Sequence, residues 1–338
     1  MSVLVKYPRR LEGDPIGDQL FSLFKKDSIL LEHFRSLKSN KDLSIFLKQH
    51  NEINEMLGDF MAFESSDFLK LKNASQFFQD HISMILAVLG LYSLPYCYAG
   101  ANGARVLVES KKITDDPGKR LAETAEFVMD VCGPDAFEPN GRGLISILYV
   151  RMLHAGARHY TSNKIKDEVP VNQDDQLATL LSFSLIVIRG LRKIGISISD
   201  DQANDYLFMW SLIGVKLGIN RSYIPQNIRQ ASQTEREIRR REFGHSNEGV
   251  ILTKSLTRFI NEQNTQLKAL RAEDLIYFFL ENQANLLGIE IGLGYSASVI
   301  KQILRTQHVL GRINGDTYLK IRQDLKQQLI LLDTELRF

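Results

Sequence analysis

The sequence predicts an all-α protein, because apolar residues recur with helical periodicity through most of the chain. Only eight prolines occur in 338 residues, and most of them lie between the periodic segments, where they do not break a helix. The sequence contains no row of alternating strands and no internal repeat. We expect residues 71–338 to form one all-α domain, with residues 1–70 as a helical appendage packed on it.

Local signals mark several helix boundaries. Asp116 places a capping carboxylate ahead of Pro117, which would be the first helical residue, and Gly133-Pro134 ends that helix. Ser199 begins another helix. The predicted helices, in chain order, span residues 15–25, 27–37, 41–58, 66–94, 97–109, 117–131, 142–161, 173–194, 199–218, 231–243, 248–263, 270–286, 296–306 and 315–335.

One apolar stretch approaches the length of a membrane span. Residues 82–100 carry no charge, but Gly90 and Pro95 interrupt them and they barely reach spanning length. We therefore expect a buried core helix that breaks near Pro95. The N-terminus lacks the apolar core of a signal peptide, and a cytoplasmic location is expected.

Composition and charge argue against several classes of function. A net charge of +2 argues against a protein that binds nucleic acid through a broad basic field. Cys97 and Cys132 form neither a disulfide scaffold nor a metal-ligand spacing. The most basic run, residues 234–245, is interleaved with glutamates, which indicates a solvated helix face rather than an anion-binding arm.

A cationic cluster interrupts an apolar helix face in "VRMLHAGARHY", residues 150–160. At about 100° per residue, Arg151, His154 and Arg158 lie within about 60° of one another, on the stripe that the preceding turns keep apolar. Two guanidinium groups on a buried stripe require an anion, because an unpaired buried charge is strongly destabilising.

A second polar cluster lies on the preceding predicted helix. Arg120, Glu123 and Thr124 are spaced i, i+3 and i+4, and so they share one face of an otherwise apolar helix. The linker between the two helices is long enough to reverse the direction of the chain. If the helices pack antiparallel, both clusters face one cavity.

Haem is one cofactor that such a cavity could hold. A neutral imidazole such as that of His154 is a normal axial ligand of haem iron, and the two flanking arginines could bind the haem propionates. In the alternative, His154 is an ordinary core residue and the arginines pair with Glu126, Asp130 or Asp174.

The spacing of the two clusters resembles a known family. Arg120-x3-Thr124 is followed after 26 residues by Arg151-x2-His154-x3-Arg158, and this pattern is similar to the catalytic core of the latex-clearing rubber oxygenases and the fungal MpaB-type oxygenases. Further segments resemble motifs of the family in the same order, namely residues 94–124, 171–184, 190–219 and 247–256.

The resemblance implies an all-α fold with a globin-like core around a non-covalent haem b. It also implies oxidative cleavage of an isoprenoid carbon–carbon double bond by O2, which gives two carbonyl fragments. In the family the histidine is the proximal iron ligand, and the arginine–threonine helix borders the oxygen site. The site residues expected here are Arg120, Glu123 and Thr124 for catalysis and His154, Arg151 and Arg158 for the cofactor, with His154 as the metal ligand.

This sequence departs from the family pattern in two ways that change the expected reaction and substrate. Rubber-cleaving members typically carry lysine immediately before the threonine, whereas this chain has Glu123, which brings negative charge or donates a proton if burial raises its pKa. Without an export signal, a smaller isoprenoid or lipid is expected as substrate in place of rubber. Apolar residues that could line its pocket are Leu86, Leu89, Phe183, Ile186 and Phe208.

Three hypotheses remain open from the sequence. The favoured one is a haem b oxygenase that acts on a small apolar alkene with O2, without nucleic acid or a transmembrane span. The alternative is a non-catalytic haem carrier or gas-responsive protein of the same fold. In a third, the fold has lost haem, although the complete set of Arg, Thr and His positions argues against it. Haem content and oxygen consumption separate the three.

Overall fold

The computed structural model describes residues 7–109, 117–263, 270–290, 296–313 and 318–331. These ranges are helical and contain no β-strand, which confirms the all-α prediction; the globin-like arrangement of the core stays a prediction. The α-helices are α1 (Pro15–Lys26), α2 (Ser28–Ser36), α3 (Asn40–Gln49), α4 (Asn51–Leu57), α5 (Asp67–Val88), α6 (Leu94–Tyr98), α7 (Ala101–Glu109), α8 (Pro117–Cys132), α9 (Gly143–Thr161), α10 (Gln173–Phe183), α11 (Leu185–Ile194), α12 (Asp200–Lys216), α13 (Ile228–Glu242), α14 (Asn247–Gln263), α15 (Ala272–Leu280), α16 (Ala297–Ile313) and α17 (Tyr318–Leu331).

Side-chain caps fix several helix starts. Ser199 caps α12 by accepting from the backbone of Gln202, whose side chain accepts in return from the backbone of Ser199. Helix α8 begins at Pro117 as expected, while the capping role given to Asp116 lies outside the described residues. Helix α1 begins with Pro15 after the cap Asp14, a combination that satisfies an otherwise unpaired amide.

Two predicted helices are each divided in the structure. The segment expected at 41–58 breaks at His50 (φ −122°, ψ 75°) into α3 and α4. The segment expected at 173–194 breaks at Ser184 (φ −108°, ψ −79°) into α10 and α11. Neither break carries a proline or a glycine, and hydrophobic periodicity therefore gave no sign of them.

The long apolar segment passes Pro95 through a π turn. Helix α5 is followed by a π-helical turn over Leu89–Ser93 and then by α6, which begins at Leu94. A wider turn accommodates a residue that has no amide hydrogen to donate. Asp67–Tyr98 is long and apolar enough to span a membrane, and half of its most apolar window is buried in the protein, as is also usual for a core helix.

One hydrophobic core joins the N-terminal helices to the rest of the chain. Leu20 and Phe24 of α1 belong to the same buried cluster as Leu144 of α9 and Trp210 of α12. Phe24 also packs against Phe34, with ring centroids 4.9 Å apart. Helix α1 therefore lies directly against α9, which carries the cationic cluster. The division of the chain at residue 70 stays a prediction.

Candidate active site

A cavity of about 830 Å³ lies between α1, α8, α9, α10 and α12. This volume lies within the range of roughly 300–1,000 Å³ that is typical of small-molecule and cofactor sites. Aromatic and aliphatic side chains form much of its wall, and they include Phe21, Phe24, Leu121, Phe127, Met152, Leu180, Phe183, Trp210 and Leu252. Such a wall excludes water and favours an apolar occupant.

All three residues of the α8 cluster, and His154 of the α9 cluster, line this cavity from adjacent helices. Near the connection between α8 and α9, the Ser146 hydroxyl donates to Oδ2 of Asp130 at 2.6 Å. Further along both helices, Glu123 of α8 and His154 of α9 line the same cavity. The two helices therefore run antiparallel, and they bring His154, but neither arginine of its cluster, to the cavity that the α8 cluster lines.

His154 presents a neutral imidazole to the cavity. The side chain lines the cavity, while its Nδ1 is buried without a hydrogen-bond partner of good geometry among the described residues. Burial lowers the pKa of His154 to about 4, and the Arg158 guanidinium acts in the same direction, whereas Asp14 and a hydrogen bond with Gln176 act in the opposite direction. The ring is therefore uncharged near neutral pH, as a metal ligand must be.

The polar cluster of α8 is held together by its own helix. Nη1 of Arg120 donates to Oε2 of Glu123 at 3.2 Å, and the Glu123 side chain is 15% exposed. The Thr124 hydroxyl donates to the backbone carbonyl of Arg120 at 2.7 Å. All three residues line the cavity. Because its hydrogen is committed to the helix, the Thr124 oxygen offers lone pairs to an occupant.

Arg151 has a protein carboxylate as its anion. Its Nε and Nη2 donate to the two carboxylate oxygens of Asp14 at 2.6 and 2.7 Å, and its side chain is not part of the cavity wall. Gly17 and Gly218 make room for this carboxylate, because a Cβ at either position would lie 2.3 Å from Oδ2 of Asp14. In this structure the anion of Arg151 is therefore Asp14, and its expected role in cofactor binding stays a prediction.

Arg158 is likewise paired within the chain. Its Nε donates to Oδ1 of Asp18 at 2.7 Å, and its Nη1 donates to the carbonyl of Val171 at 3.2 Å. The side chain is buried and lies outside the cavity wall. The expected role of Arg158 in cofactor binding likewise stays a prediction. The carboxylates come from the cap and the first turn of α1, not from Glu126, Asp130 or Asp174.

A charged cluster that the sequence did not reveal lies at the start of α10. Arg10 donates to Glu168 and, at 2.6 Å, to Glu242, and it lies 3.5 Å from Asp175. Asp174 is paired with Arg9 at 2.8 Å and with Arg241 at 2.6 Å. Asp174, Asp175 and Glu242 line the cavity. The cluster is defined by these arginines and carboxylates, and it is called the acidic wall below.

Burial raises the pKa of Asp175 in the acidic wall to about 7. Arg10 opposes this shift, whereas the neighbouring charges of Glu168, Glu242 and Asp174 add to it. The interpretation of residues 234–245 as only a solvated helix face is corrected, because Arg241 and Glu242 of that run belong to the acidic wall. Glu235 of that run is also buried, and it pairs with Arg189 and Arg239 at 2.7 Å each.

Only one of the five apolar residues expected to line the pocket does so. Phe183 lines the cavity, whereas Leu86, Leu89, Ile186 and Phe208 do not. Ile186 is fully buried in the core, and the ring of Phe208 lies under Nζ of Lys70 at 4.6 Å. Core packing and pocket lining share the same apolar periodicity, so the sequence alone could not separate these roles.

The donor set fits a haem better than a metal ion held by side chains alone. Within the described ranges, no group of three or more His, Cys, Asp or Glu residues is arranged to hold a metal. A haem iron needs one imidazole from the protein, because the macrocycle supplies the equatorial nitrogens. His154, neutral and set in an apolar cavity, meets that requirement. Cationic side chains that line the cavity are Lys25, Arg35, Arg120 and Lys164.

Comparisons with known proteins agree with this architecture. A rubber oxygenase from Streptomyces sp. (strain K30) is 26% identical over 209 residues, which cover 60% of this chain and 51% of the relative. The chain thus spans about half the length of that relative. The structure of a latex clearing protein in the closed state superposes with a TM-score of 0.74 at 20% identity, covering 90% of this chain and 85% of the other.

The match to a family extends over residues 76–285, described as the catalytic domain of ER-bound oxygenase mpaB/B′ and rubber oxygenase. These residues contain α8, α9 and α10 and thus both polar clusters. More than half of the chain is matched, and the resemblance seen in the sequence is confirmed. The chain belongs to the mpaB/B′ and rubber oxygenase catalytic-domain family.

Proposed function

We propose that this protein is a haem b-dependent oxygenase that cleaves a carbon–carbon double bond in a small isoprenoid or lipid with O2. In the overall reaction one alkene and one O2 give two carbonyl compounds, so that no external reductant is needed for the balance. The observation that carries the proposal is that the neutral His154 and the polar cluster of α8 line the same largely apolar cavity. Membership of an oxygenase family supports it.

His154 would hold the cofactor in this proposal. Haem b, when bound, supplies a redox-active iron at which O2 can be activated. Burial keeps the imidazole unprotonated, and its lone pair is therefore available at physiological pH. Since Arg151 and Arg158 are paired with Asp14 and Asp18, they would stabilise the helix that carries His154.

The residues of α8 would act on the substrate side. Arg120 and Glu123 form a charge-neutral pair, which lets a carboxylate stand in an apolar cavity without a large desolvation penalty. Glu123 could accept a proton or orient a polar group of the substrate, and Thr124 could accept a hydrogen bond through its free lone pairs. The aromatic wall would hold the alkene and exclude water.

A specific observation favours a second candidate, a haem-binding protein without turnover. Glu123 stands where lysine is typical of rubber-cleaving relatives, and its charge is balanced by Arg120. A carrier or gas-responsive role needs haem but no alkene cleavage. A cytoplasmic location also stays a prediction.

Haem content tests the proposal first. The full chain, expressed with haem supply, should contain haem b near one per chain by pyridine haemochrome assay. His154→Ala should lose most of it while far-UV circular dichroism is unchanged. His159→Ala is the matched control, because His159 lies on the same helix, is exposed and is outside the cavity wall. Equal retention of haem by both variants would exclude His154 as the ligand.

Oxygen consumption separates the two candidates. Haem-loaded protein is incubated with squalene or methyl oleate, which are isoprenoid and lipid alkenes, in an oxygen electrode. The oxygenase predicts uptake of O2 matched by carbonyl products. Full haem loading without uptake on either probe would favour the carrier, and absence of haem after reconstitution would reject both.

A further inference from the structure

Two unsatisfied polar atoms lie buried at the cavity wall. Among the described residues, neither Nδ1 of His154 nor Oε1 of Gln176 has a hydrogen-bond partner of good geometry, although both atoms are inaccessible to solvent. Both side chains line the cavity. The Gln176 side chain lies close enough to the imidazole to raise its pKa as a hydrogen-bond acceptor would, although the geometry falls short of a hydrogen bond. A buried donor and a buried acceptor that lie side by side satisfy each other at little structural cost.

The orientation of the Gln176 amide is fixed from its other end. Its Nε2 donates to the backbone carbonyl of Val171 at 3.2 Å. Because the nitrogen is used in this way, the oxygen is the end that remains for His154. The same carbonyl accepts from Nη1 of Arg158 at 3.2 Å, and Arg158 is in turn held by Asp18.

Val171 has the backbone conformation that this arrangement requires. Its φ is 51°, in the left-handed region that β-branched residues rarely occupy. Such a conformation persists only where the surrounding contacts hold it in place, and here two side chains bond to its carbonyl. The chain of contacts therefore runs from Asp18 through Arg158 and Val171 to Gln176.

We propose that Gln176 is a positioning residue for His154: its Oε1 accepts the Nδ1 hydrogen and thereby leaves Nε2 as the ring nitrogen presented to a cofactor. A neutral imidazole carries one hydrogen, and the hydrogen bond made by one nitrogen decides which lone pair is free. In other proteins, an acceptor that is hydrogen-bonded to the second ring nitrogen orients a metal-bound histidine in this way. The identity of what Nε2 holds rests on the proposed function, whereas the tautomer does not.

The tautomer can be measured on the full chain prepared without haem. Long-range ¹H–¹⁵N correlation spectra of histidine-labelled protein report it, and His154→Asn identifies the signal. We expect the Nδ1–H form in the wild type and in Gln176→Glu, which keeps an acceptor. Gln176→Leu should move the population toward Nε2–H. Thr179→Val is the matched control, because Thr179 lines the cavity on the same helix but its hydroxyl donates to the backbone carbonyl of Asp175.

A second readout is the affinity of the chain for haem. Gln176→Leu should weaken haem binding about 10- to 100-fold, while Gln176→Glu should retain binding and lower the midpoint potential of the bound haem. A tautomer that is the same in the wild type and Gln176→Leu overturns the inference, even if haem binds. If Gln176→Leu does not fold, Gln176→Glu decides: its tautomer stays Nδ1–H, but the Nδ1 resonance should move because its hydrogen bond now goes to a carboxylate, and an unmoved Nδ1 resonance overturns the inference.

The two proposals fail in different ways. A shifted tautomer in Gln176→Leu together with no haem in the wild type upholds the role of Gln176 and rejects the haem oxygenase. Haem bound through His154 together with a tautomer that ignores Gln176 gives the reverse result.

Discussion

Asp14 and Arg151 form a two-point ion pair between helices that are far apart in the chain. Both oxygens of the carboxylate are used, at 2.6 and 2.7 Å, and the two residues are separated by 137 positions. The side chains are 4% and 7% exposed. The planar guanidinium matches a carboxylate at two points. This pair fixes the start of α1 to the helix that carries His154, one turn before the histidine.

Loss of the Asp14 carboxylate should destabilise the protein strongly. In Asp14→Ala the buried Arg151 guanidinium has no anion, and we expect the free energy of unfolding to fall by about 3–5 kcal/mol. Urea denaturation of the purified chain measures it. The matched control is Asp200→Ala, because Asp200 and its partner Arg192 are 93% and 38% exposed and such a surface pair should contribute about 1 kcal/mol or less. Equal losses in the two variants would show that burial does not govern these pairs.

Exchange of Glu123 for lysine should alter the cofactor site. Glu123→Lys replaces an ion pair with Arg120 by two like charges three residues apart on α8, which destabilises a helix by a few tenths of a kcal/mol, or roughly 0.2–0.5. If Glu123 faces the iron, the amine should also shift the ferric absorption spectrum of haem-loaded protein. Glu123→Gln, which removes the charge at constant size, serves as the control. Identical spectra in all three proteins would place this side chain away from the metal.

Asp175 should make stability depend on pH between about 4 and 7. Burial raises its pKa to about 7 in the folded protein, whereas an unfolded aspartate has a pKa near ~3.9. In this window the folded state holds a proton that the unfolded state has lost. Stability from this group therefore falls as the pH rises, by up to about 1.4 kcal/mol per pH unit for one proton.

The variant Asp175→Asn isolates this effect. Its free energy of unfolding, minus that of the wild type, should rise between pH 5 and pH 7.5, because the variant has no buried carboxyl whose ionisation burial and the neighbouring carboxylates oppose. Asp201→Asn, at an exposed position in the first turn of α12, should show a constant difference. A constant difference for Asp175→Asn would contradict the raised pKa.

Replacement of Val171 by glycine and by proline should have very different effects on stability. Val171→Gly relieves a left-handed valine, worth about 1–2 kcal/mol, but loses a similar amount through the freedom of glycine in the unfolded chain, about 0.5–1 kcal/mol. Its stability in urea should stay within about 1 kcal/mol of the wild type. Proline fixes φ near about −65°, which is incompatible with 51°, so Val171→Pro should unfold at much lower urea. A tolerated proline would refute the observed backbone conformation.

Local spacing explains what the sequence could predict. The three side chains on α8 and the histidine on α9 follow from periodicity within each helix, and one antiparallel turn brings them together. The anions of Arg151 and Arg158 could not be predicted, because pairing across 137 and 140 positions depends on how α1 docks. Asp14, followed by a proline, is identifiable in the sequence only as a helix cap. The motif around Gln176 was visible, but nothing local connected it to His154.

The space left by Gly17 and Gly218 has a consequence for how this chain can change. The carboxylate of Asp14 sits against two stretches of bare backbone from opposite parts of the sequence, and Arg151 closes over it. Removal of the Asp14 carboxylate leaves the Arg151 guanidinium buried without an anion. A side chain at Gly17 or Gly218 would displace the carboxylate. A single replacement at any one of these four positions should therefore weaken the structure, because the other three are arranged around the same ion pair. A shortened chain that starts at residue 71 lacks Asp14 and would therefore leave the buried Arg151 guanidinium without its anion.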